Sequence, residues 1–94
     1  MVFELAQFKT KAGISDADIL TASQEAQDGF LAKQKGYISR EFSKSTEGGW
    51  VDIVHWETME DAQVAMQKFM GHPSTEKFVS EKNIKHLKAM RSKR

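Results

Sequence analysis

The sequence predicts an α+β fold, a ferredoxin-like βαββαβ sandwich whose four-stranded antiparallel sheet carries two helices on one face. Four segments alternate in polarity, as strands do, and two have apolar residues at helical spacing. Their order is strand, helix, strand, strand, helix, strand. Right-handed crossovers then place the first and third strands in the middle of the sheet. The chain has 94 residues, which is enough for one hydrophobic core and one domain, residues 1–94.

The first strand and helix follow from local signals. Residues 2–9 alternate, with Phe3, Leu5 and Gln7 on one face and Val2, Glu4, Ala6 and Phe8 on the other. Ser15 and Asp18 are spaced as an acidic capping box, so a helix is predicted from about residue 16 to residue 34. Gly36 supplies the expected left-handed stop.

The second half repeats this pattern. Strands are predicted at 37–46 and 50–56, joined by a hairpin turn at Gly48 and Gly49. Thr58 caps a second helix whose apolar residues keep helical spacing: Ala62, Ala65, Met66, Phe69 and Met70. Gly71 ends it, and one further helical turn from Ser74 through Phe78 is expected. The last strand is predicted at 83–91, with a frayed basic tail from about residue 90 to residue 94.

The third strand predicts self-association. Its alternation gives both faces of the sheet large apolar side chains, while the helices can cover only one face. We expect Trp50, Val54 and Trp56 to lie on the open face. Two indole rings left exposed there would forfeit much of the free energy that their burial contributes to stability. A second copy is the simplest cover, so the sequence predicts a two-fold homodimer through these three residues.

Two stretches resemble a known family. The six-element order, "QKGYISREF" and "WVDIVHWETMEDAQVAMQKFMGHP" resemble the antibiotic biosynthesis monooxygenase (ABM-like) family of the dimeric α+β barrel group. The resemblance covers nearly the whole chain. It implies a dimer with a pocket in each subunit between the helices and the sheet. Members of the family include cofactor-free monooxygenases acting on polycyclic phenols, haem-degrading enzymes and proteins of no known activity.

The resemblance argues against haem degradation. Haem-degrading relatives use an asparagine on the first strand, a tryptophan on the second helix and a histidine in the helical turn beyond it. The matching positions here hold Gln7, about Met66, and His72, which comes early in the turn. Two of the three elements depart from the pattern, and no flavin, haem or metal signature is present, so we expect no cofactor.

His55 is the candidate general base. It lies in the most apolar strand, and an imidazole titrates in the range that suits proton abstraction from a phenol or enol. The alternative is a core histidine that donates to a backbone carbonyl or to Gln7 on the neighbouring strand. Gln7 in turn either orients a substrate oxygen or completes a hydrogen-bond network. His55 and Gln7 are the predicted catalytic residues.

The remaining candidates would bind the substrate. Tyr37 offers a hydroxyl to a phenol, and we expect Arg40, on the opposite face of the strand, to pair with an acid across the sheet or the dimer interface. His72, held extended before Pro73, either gates the pocket and binds an anionic substrate or is a surface turn residue. The apolar wall, which is also expected to be core, comprises Phe30, Trp56, Met66, Phe69 and Met70.

Composition narrows the classes of function. The chain has no cysteine, which excludes disulfides and thiolate chemistry, and its net charge of +1 gives no strong field for nucleic acid. The acid-free basic run from Lys82 onward is either an anion-binding tail or a solvated edge strand. The histidines 55, 72 and 86 are too far apart along the chain to predict a metal site. No apolar run approaches a membrane span or a signal peptide, so a cytoplasmic protein is expected.

The sequence is therefore compatible with two functions. The first is a small cofactor-independent monooxygenase acting on an aromatic or polyketide-like molecule. The second is a non-catalytic dimeric module that binds a small hydrophobic metabolite or a protein partner. This fold hosts many functions, so the choice depends on the site.

Overall fold

The computed structural model describes the backbone of residues 1–93, the side chains of residues 1–83 and that of Ser92. Its elements are β1 (Val2–Thr10), α1 (Asp16–Gly29), β2 (Tyr37–Lys44), β3 (Trp50–Trp56), α2 (Met59–Phe69), α3 (Glu76–Glu81) and β4 (Lys82–Lys93). The four antiparallel strands lie in the order β2-β3-β1-β4. This confirms the predicted α+β ferredoxin-like arrangement with the first and third strands central. Within the described residues no helix is long and apolar enough to cross a bilayer.

The predicted capping signals are present at both long helices. The hydroxyl of Ser15 accepts from the backbone N–H of Asp18, whose carboxylate accepts from the N–H of Ser15, both at 3.1 Å. Thr58 caps α2 in the same way, accepting from the N–H of Asp61 at 3.0 Å. The first helix is shorter than predicted: Phe30 leaves the helical conformation, and a single 3₁₀ turn, Leu31–Lys33, follows. Gly36 then has the expected positive φ of 82°.

The carboxyl-terminal half differs from the prediction in two places. The short helix α3 begins at Glu76 and ends at Glu81, later than the turn expected from Ser74 through Phe78. Strand β4 continues to Lys93 and pairs with β1 as far as Val2, so residues 90–93 are strand rather than a frayed tail. The side chain of His86 and those of the basic residues beyond Lys82 lie outside the described residues.

The structure reverses the predicted faces of the sheet. Trp50, Val54 and Trp56 are 5%, 6% and 0% exposed and pack in the core beneath the helices. The prediction that they form the open face and the dimer contact was therefore wrong. Alternation shows that two faces differ, but not which of them the helices cover. The helices determine which face they cover, because their inner positions hold small side chains: Ala22, Ala26, Ala62 and Ala65. The space above these alanines has to be filled by the sheet face with the larger side chains.

The open face of the sheet carries the other set of residues. Phe3, Leu5, Val51, Ile53 and His55 alternate with the buried residues of β1 and β3 and are half-buried in the single chain. We call these five residues the open apolar face. It is the surface that a second copy of the chain would have to cover.

A β-bulge shifts the alternation in β2. Tyr37 pairs with Trp56 and Ser39 pairs with His55, so Ile38 is the extra residue between them. Tyr37 therefore lies on the same, helix-covered face as Arg40, and the prediction of opposite faces was wrong. The bulge is what brings the Tyr37 side chain into the layer between helices and sheet.

Candidate functional site

A polar pair lies at one end of the layer between helices and sheet. The side-chain amide of Gln27, on α1, donates from Nε2 to the hydroxyl of Tyr37 at 2.6 Å. The Gln27 Oε1 atom is buried and has no partner among the described residues. In either orientation of the amide, one of its two polar atoms stays unpaired there. The hydroxyl and amide together therefore keep hydrogen-bonding capacity for an oxygen of a bound molecule.

Trp56 lies beside this pair. Its ring meets that of Tyr37 edge to face at 6.0 Å, and its Nε1 donates to Glu4 Oε1 at 2.8 Å. Glu4 lies on the neighbouring central strand and is 9% exposed. The hydrogen bond holds the buried indole in place, so Trp56 is a rigid neighbour of the Gln27–Tyr37 pair. We call Gln27, Tyr37, Trp56 and Glu4 the tyrosine cluster.

Most of the residues predicted to wall a pocket lie in or against the hydrophobic core. Phe30 and Phe69 are buried in the core with their rings edge to face at 5.6 Å, and half-buried Met66 packs against the same core. Met70 is 63% exposed, so the prediction that it lines a pocket was wrong. The helical spacing does not extend to it, because α2 ends at Phe69 and Met70 adopts an extended conformation.

His72 lies against the core rather than on a free surface turn. Its ring lies 4.9 Å from that of Phe30, and its Nδ1 accepts from the backbone N–H of Ser74 at 3.1 Å. Because Nδ1 is an acceptor, the proton of the neutral imidazole is on Nε2. His72 thus offers one oriented donor at the half-buried rim between α2 and α3.

The two predicted catalytic residues do not face the helices. His55 lies on the open apolar face opposite Phe3, with the two rings 6.3 Å apart. Gln7 is exposed on that face and lies opposite Val51, so it does not meet His55. The prediction that they line a pocket between helices and sheet was wrong, because the face assignment was reversed. His55 Nδ1 is nevertheless buried, with no partner in the described part of the chain.

An ion pair crosses the other end of the layer. The Arg40 guanidinium binds the Asp52 carboxylate through two hydrogen bonds of 2.8 and 2.9 Å, and its Nη1 donates to the carbonyl of Ser23 at 3.1 Å. The two side chains are 4% and 9% exposed. The prediction that Arg40 pairs with an acid across the sheet is confirmed. The pair holds β2, β3 and α1 together by charge-assisted bonds.

Lys82, where α3 meets β4, lies among aromatic rings. Its Nζ is 4.3 Å from the ring centre of Phe78, 4.8 Å from that of Phe8 and 5.7 Å from that of Phe69. Burial lowers the pKa of its amine from 10.5 to about 8, with Asp52 acting against this shift and Arg40 adding to it. We call Lys82 and its three phenylalanines the lysine cage. Sequence reasoning missed it by assigning Lys82 to the basic run, although Phe78 and Lys82 have the spacing of one helix face.

The pKa of Lys82 predicts a pH dependence of stability. Between about pH 8 and pH 10.5 the unfolded chain binds more protons than the folded one, so the free energy of unfolding should rise with pH. Lys82→Met should remove this rise and stabilise the protein at pH 7 by about 1–3 kcal/mol, allowing for the aromatic rings that favour the ammonium. Urea titrations across this range measure it. The exposed Lys68→Met should keep the rise; a flat wild-type profile would contradict the prediction.

The described residues hold no group of three or more histidine, aspartate or glutamate side chains able to bind a metal ion. The polar atoms brought together beneath the helices are instead those of the tyrosine cluster, the Arg40–Asp52 pair and Lys82.

Solved structures share this fold. SnoaB, a cofactor-independent oxygenase from Streptomyces nogalater, is 13% identical and superposes with a TM-score of 0.74 over 99% of this chain and 91% of its own. A Bordetella bronchiseptica protein provisionally named an antibiotic biosynthesis monooxygenase is 18% identical, with a TM-score of 0.79 over 99% and 95%. An antibiotic biosynthesis monooxygenase at 12% identity gives 0.74 over 100% and 98%. No family model and no curated protein matches the sequence.

The fold is therefore that of the antibiotic biosynthesis monooxygenases, an α+β ferredoxin-like sandwich. The resemblance read from the sequence is confirmed at the level of the fold. At these identities, the chemistry has to be argued from this chain's own residues.

Proposed function

We propose that the protein is a small cofactor-independent monooxygenase that binds an aromatic or polyketide-like molecule at the tyrosine cluster, between helices and sheet. The observation that carries the proposal is the buried pair of Gln27 and Tyr37, which keeps an unused hydrogen-bonding atom beside the rigid ring of Trp56. The fold shared with SnoaB, a cofactor-independent oxygenase, supports the reaction class.

The site fits a substrate that is its own reductant. The phenol or enol oxygen of a bound aromatic molecule takes the free hydrogen-bonding position of the Gln27–Tyr37 pair, beside Trp56. The Tyr37 O–H, or the Gln27 N–H in the other orientation of the amide, donates to this oxygen and stabilises the enolate that reacts with dioxygen. The ring methylene of such a substrate becomes a carbonyl: one oxygen atom enters the product, and the other leaves as water with the two hydrogens. All four electrons come from the substrate, so the balance needs no cofactor.

We also propose that the protein is a homodimer whose subunits meet through the open apolar face. Phe3, Leu5, Val51 and Ile53 form a contiguous apolar patch on the two central strands, opposite the helices. A second copy, related by a two-fold axis and packed sheet against sheet, covers this patch. The contact residues thus replace the set first expected from the sequence, while the reason for a dimer is the same.

Anthrone, a tricyclic ketone with an acidic ring methylene, is a suitable probe for this activity. We expect the purified, chelator-treated protein to accelerate its oxidation to anthraquinone over the buffer rate, with one oxygen atom taken from isotopically labelled dioxygen. Gln27→Leu should lower kcat/KM by about ten-fold or more, because the positioning bond is lost. Gln24→Leu is the matched control, since Gln24 lies one turn earlier on α1 and, among the described residues, its side chain bonds to exposed Asp28.

Three results separate the possibilities. Turnover that survives Gln27→Leu unchanged would contradict the tyrosine cluster as the site. Saturable binding of anthrone without oxygen consumption would favour the second function, a non-catalytic module for a small hydrophobic metabolite. His55→Ala should leave turnover nearly unchanged, because His55 lies on the face opposite the helices.

A further inference from the structure

The lysine cage is a second feature, at the other end of the sheet from the tyrosine cluster. Lys82 pairs with Thr10 at one end of β1, while Trp56 pairs with Val2 at the other end. No carboxylate of the described residues lies within ion-pair distance of the Lys82 amine. A half-buried lysine in contact with three phenylalanine rings, yet without a direct counter-ion there, is an unusual use of this side chain.

We propose that Lys82 is a nucleophilic lysine whose amine condenses with an aromatic aldehyde to form an imine among Phe8, Phe69 and Phe78. The proposal is independent of the oxygenase function, since it involves none of the residues of the tyrosine cluster. It assigns a covalent carbonyl-binding site to a position that the fold alone does not mark.

The surroundings of Lys82 favour the reactive, unprotonated amine. Desolvation by the rings is the largest cause of its lowered pKa, and the nearby Arg40 charge acts in the same direction. The charged groups that act on it are Arg40 from β2 and Asp52 from β3; the side chains packed on it from β1, α2 and α3 are phenylalanines. Desolvation together with a neighbouring cation is the environment that activates lysines for imine formation.

The same surroundings select the class of carbonyl compound. Phe8, Phe69 and Phe78 are buried, so the amine lies in apolar surroundings that disfavour a charged or sugar-like carbonyl compound and favour an apolar, aromatic one. The Arg40 guanidinium lies 5.4 Å from the ring of Phe78 and binds the Asp52 carboxylate, so this carboxylate is not a free counter-ion that would keep the amine protonated. The imine itself is neutral, so the apolar surroundings that disfavour the ammonium do not oppose it.

The chemical step is balanced without a cofactor. The neutral amine attacks the carbonyl carbon, and the nitrogen–carbon bond forms as the carbonyl becomes a hydroxyl. That hydroxyl then leaves as water, taking with it the two hydrogens of the amine, and the imine remains. No oxidant or reductant is consumed. Water hydrolyses the imine by the reverse route, so the adduct is reversible.

Reductive trapping tests the site with benzaldehyde as the probe. The full-length protein is incubated with benzaldehyde and cyanoborohydride, whose hydride converts the imine to a stable benzylamine, and each modified residue is identified by peptide mapping. At pH 7 we expect Lys82 to react at least about ten-fold faster than the exposed Lys68, since ordinary lysines titrate near 10.4. The rate at Lys82 should rise with a midpoint near pH 8. Mapping also separates Lys82 from the α-amino group of Met1.

Two variants connect the reactivity to the cage. Phe78→Leu should slow trapping at Lys82, because water then reaches the amine and its pKa returns toward the ordinary value. Leu20→Ala, at an exposed position of α1, is the control and should not change the rate. Circular dichroism establishes that both variants are folded.

The outcomes are decisive in both directions. Selective trapping at Lys82 that Phe78→Leu slows would support the proposal, even in a protein that does not oxidise anthrone. Trapping at Lys82 no faster than at Lys68, or a midpoint at the ordinary lysine value, would overturn it. Oxidation of anthrone without any adduct at Lys82 would reject the lysine site and leave the proposed oxygenase in place.

Discussion

Asp52→Asn is expected to lower the free energy of unfolding by about 3–5 kcal/mol, the cost of leaving a buried charge without its partner. The carboxylate accepts two hydrogen bonds from Arg40 in a site where the side chains are 4% and 9% exposed. Its removal leaves the guanidinium facing a neutral amide, with the Lys82 amine nearby as a second cation. Small domains are stable by only about 5–15 kcal/mol, so the variant should be close to unfolding at 37 °C. Urea denaturation at pH 7 measures the loss.

Two further variants show that the loss comes from the unpaired charge. The double variant Arg40→Met with Asp52→Leu removes both charges and should recover much of the stability, because an apolar pair of similar size fits the same space. Asp16→Asn removes the exposed partner of Lys44, whose pair is 53% and 57% exposed, and should cost less than about 1 kcal/mol. A loss at Asp52 as small as the loss at Asp16 would contradict the importance of the buried pair.

The elements of the fold could be predicted because their signals are local. Ser15 and Thr58 each satisfy a backbone N–H of the helix that follows, and their hydroxyls accept the bonds that their spacing predicts. The hairpin turn places Gly48 at a φ of 88°, which glycine adopts without strain. Strand order then follows from connectivity and handedness. None of these inferences needs knowledge of which residues meet across the core.

The face of the sheet could not be predicted from β3 alone, because both of its faces are apolar. The missing comparison was one of volume: helices with alanine at their inner positions need bulky partners, and Trp50 and Trp56 supply that bulk. The bulge at Ile38 was invisible for a different reason. An extra residue in a strand leaves the composition of the strand unchanged, yet it reverses which face Tyr37 joins.

The positions of the predicted site residues depend on which face of the sheet the helices cover. Tyr37, Trp56, Met66 and His72 came to the helix side or its rim, while His55 and Gln7 came to the other side. Gln27 was missed because a glutamine on an exposed-looking helix turn carries no signal of its own. Only the structure shows its amide at 2.6 Å from the Tyr37 hydroxyl.

The open apolar face predicts the largest change in assembly. If a second copy covers it, Ile53→Lys should convert the dimer to a monomer, because it places two ammonium groups near the two-fold axis in a layer only about 10 Å thick between sheets. The folded monomer should survive, since Ile53 is half-buried on a surface of the single chain. Sedimentation velocity of the wild type and the variant, at matched concentrations, measures the assembly.

A control on the helix side distinguishes a specific contact from a general effect of charge. Leu20 is 48% exposed on α1, so Leu20→Lys adds the same charge to the other face of the molecule and should leave the dimer intact. A wild-type monomer, or a dimer that tolerates Ile53→Lys, would contradict the sheet-to-sheet arrangement. A dimer lost with Ile53→Lys but kept with Leu20→Lys would place the interface on the two central strands. The helix-covered layer, with the tyrosine cluster and the lysine cage, would then lie on the side of the sheet that faces away from the interface.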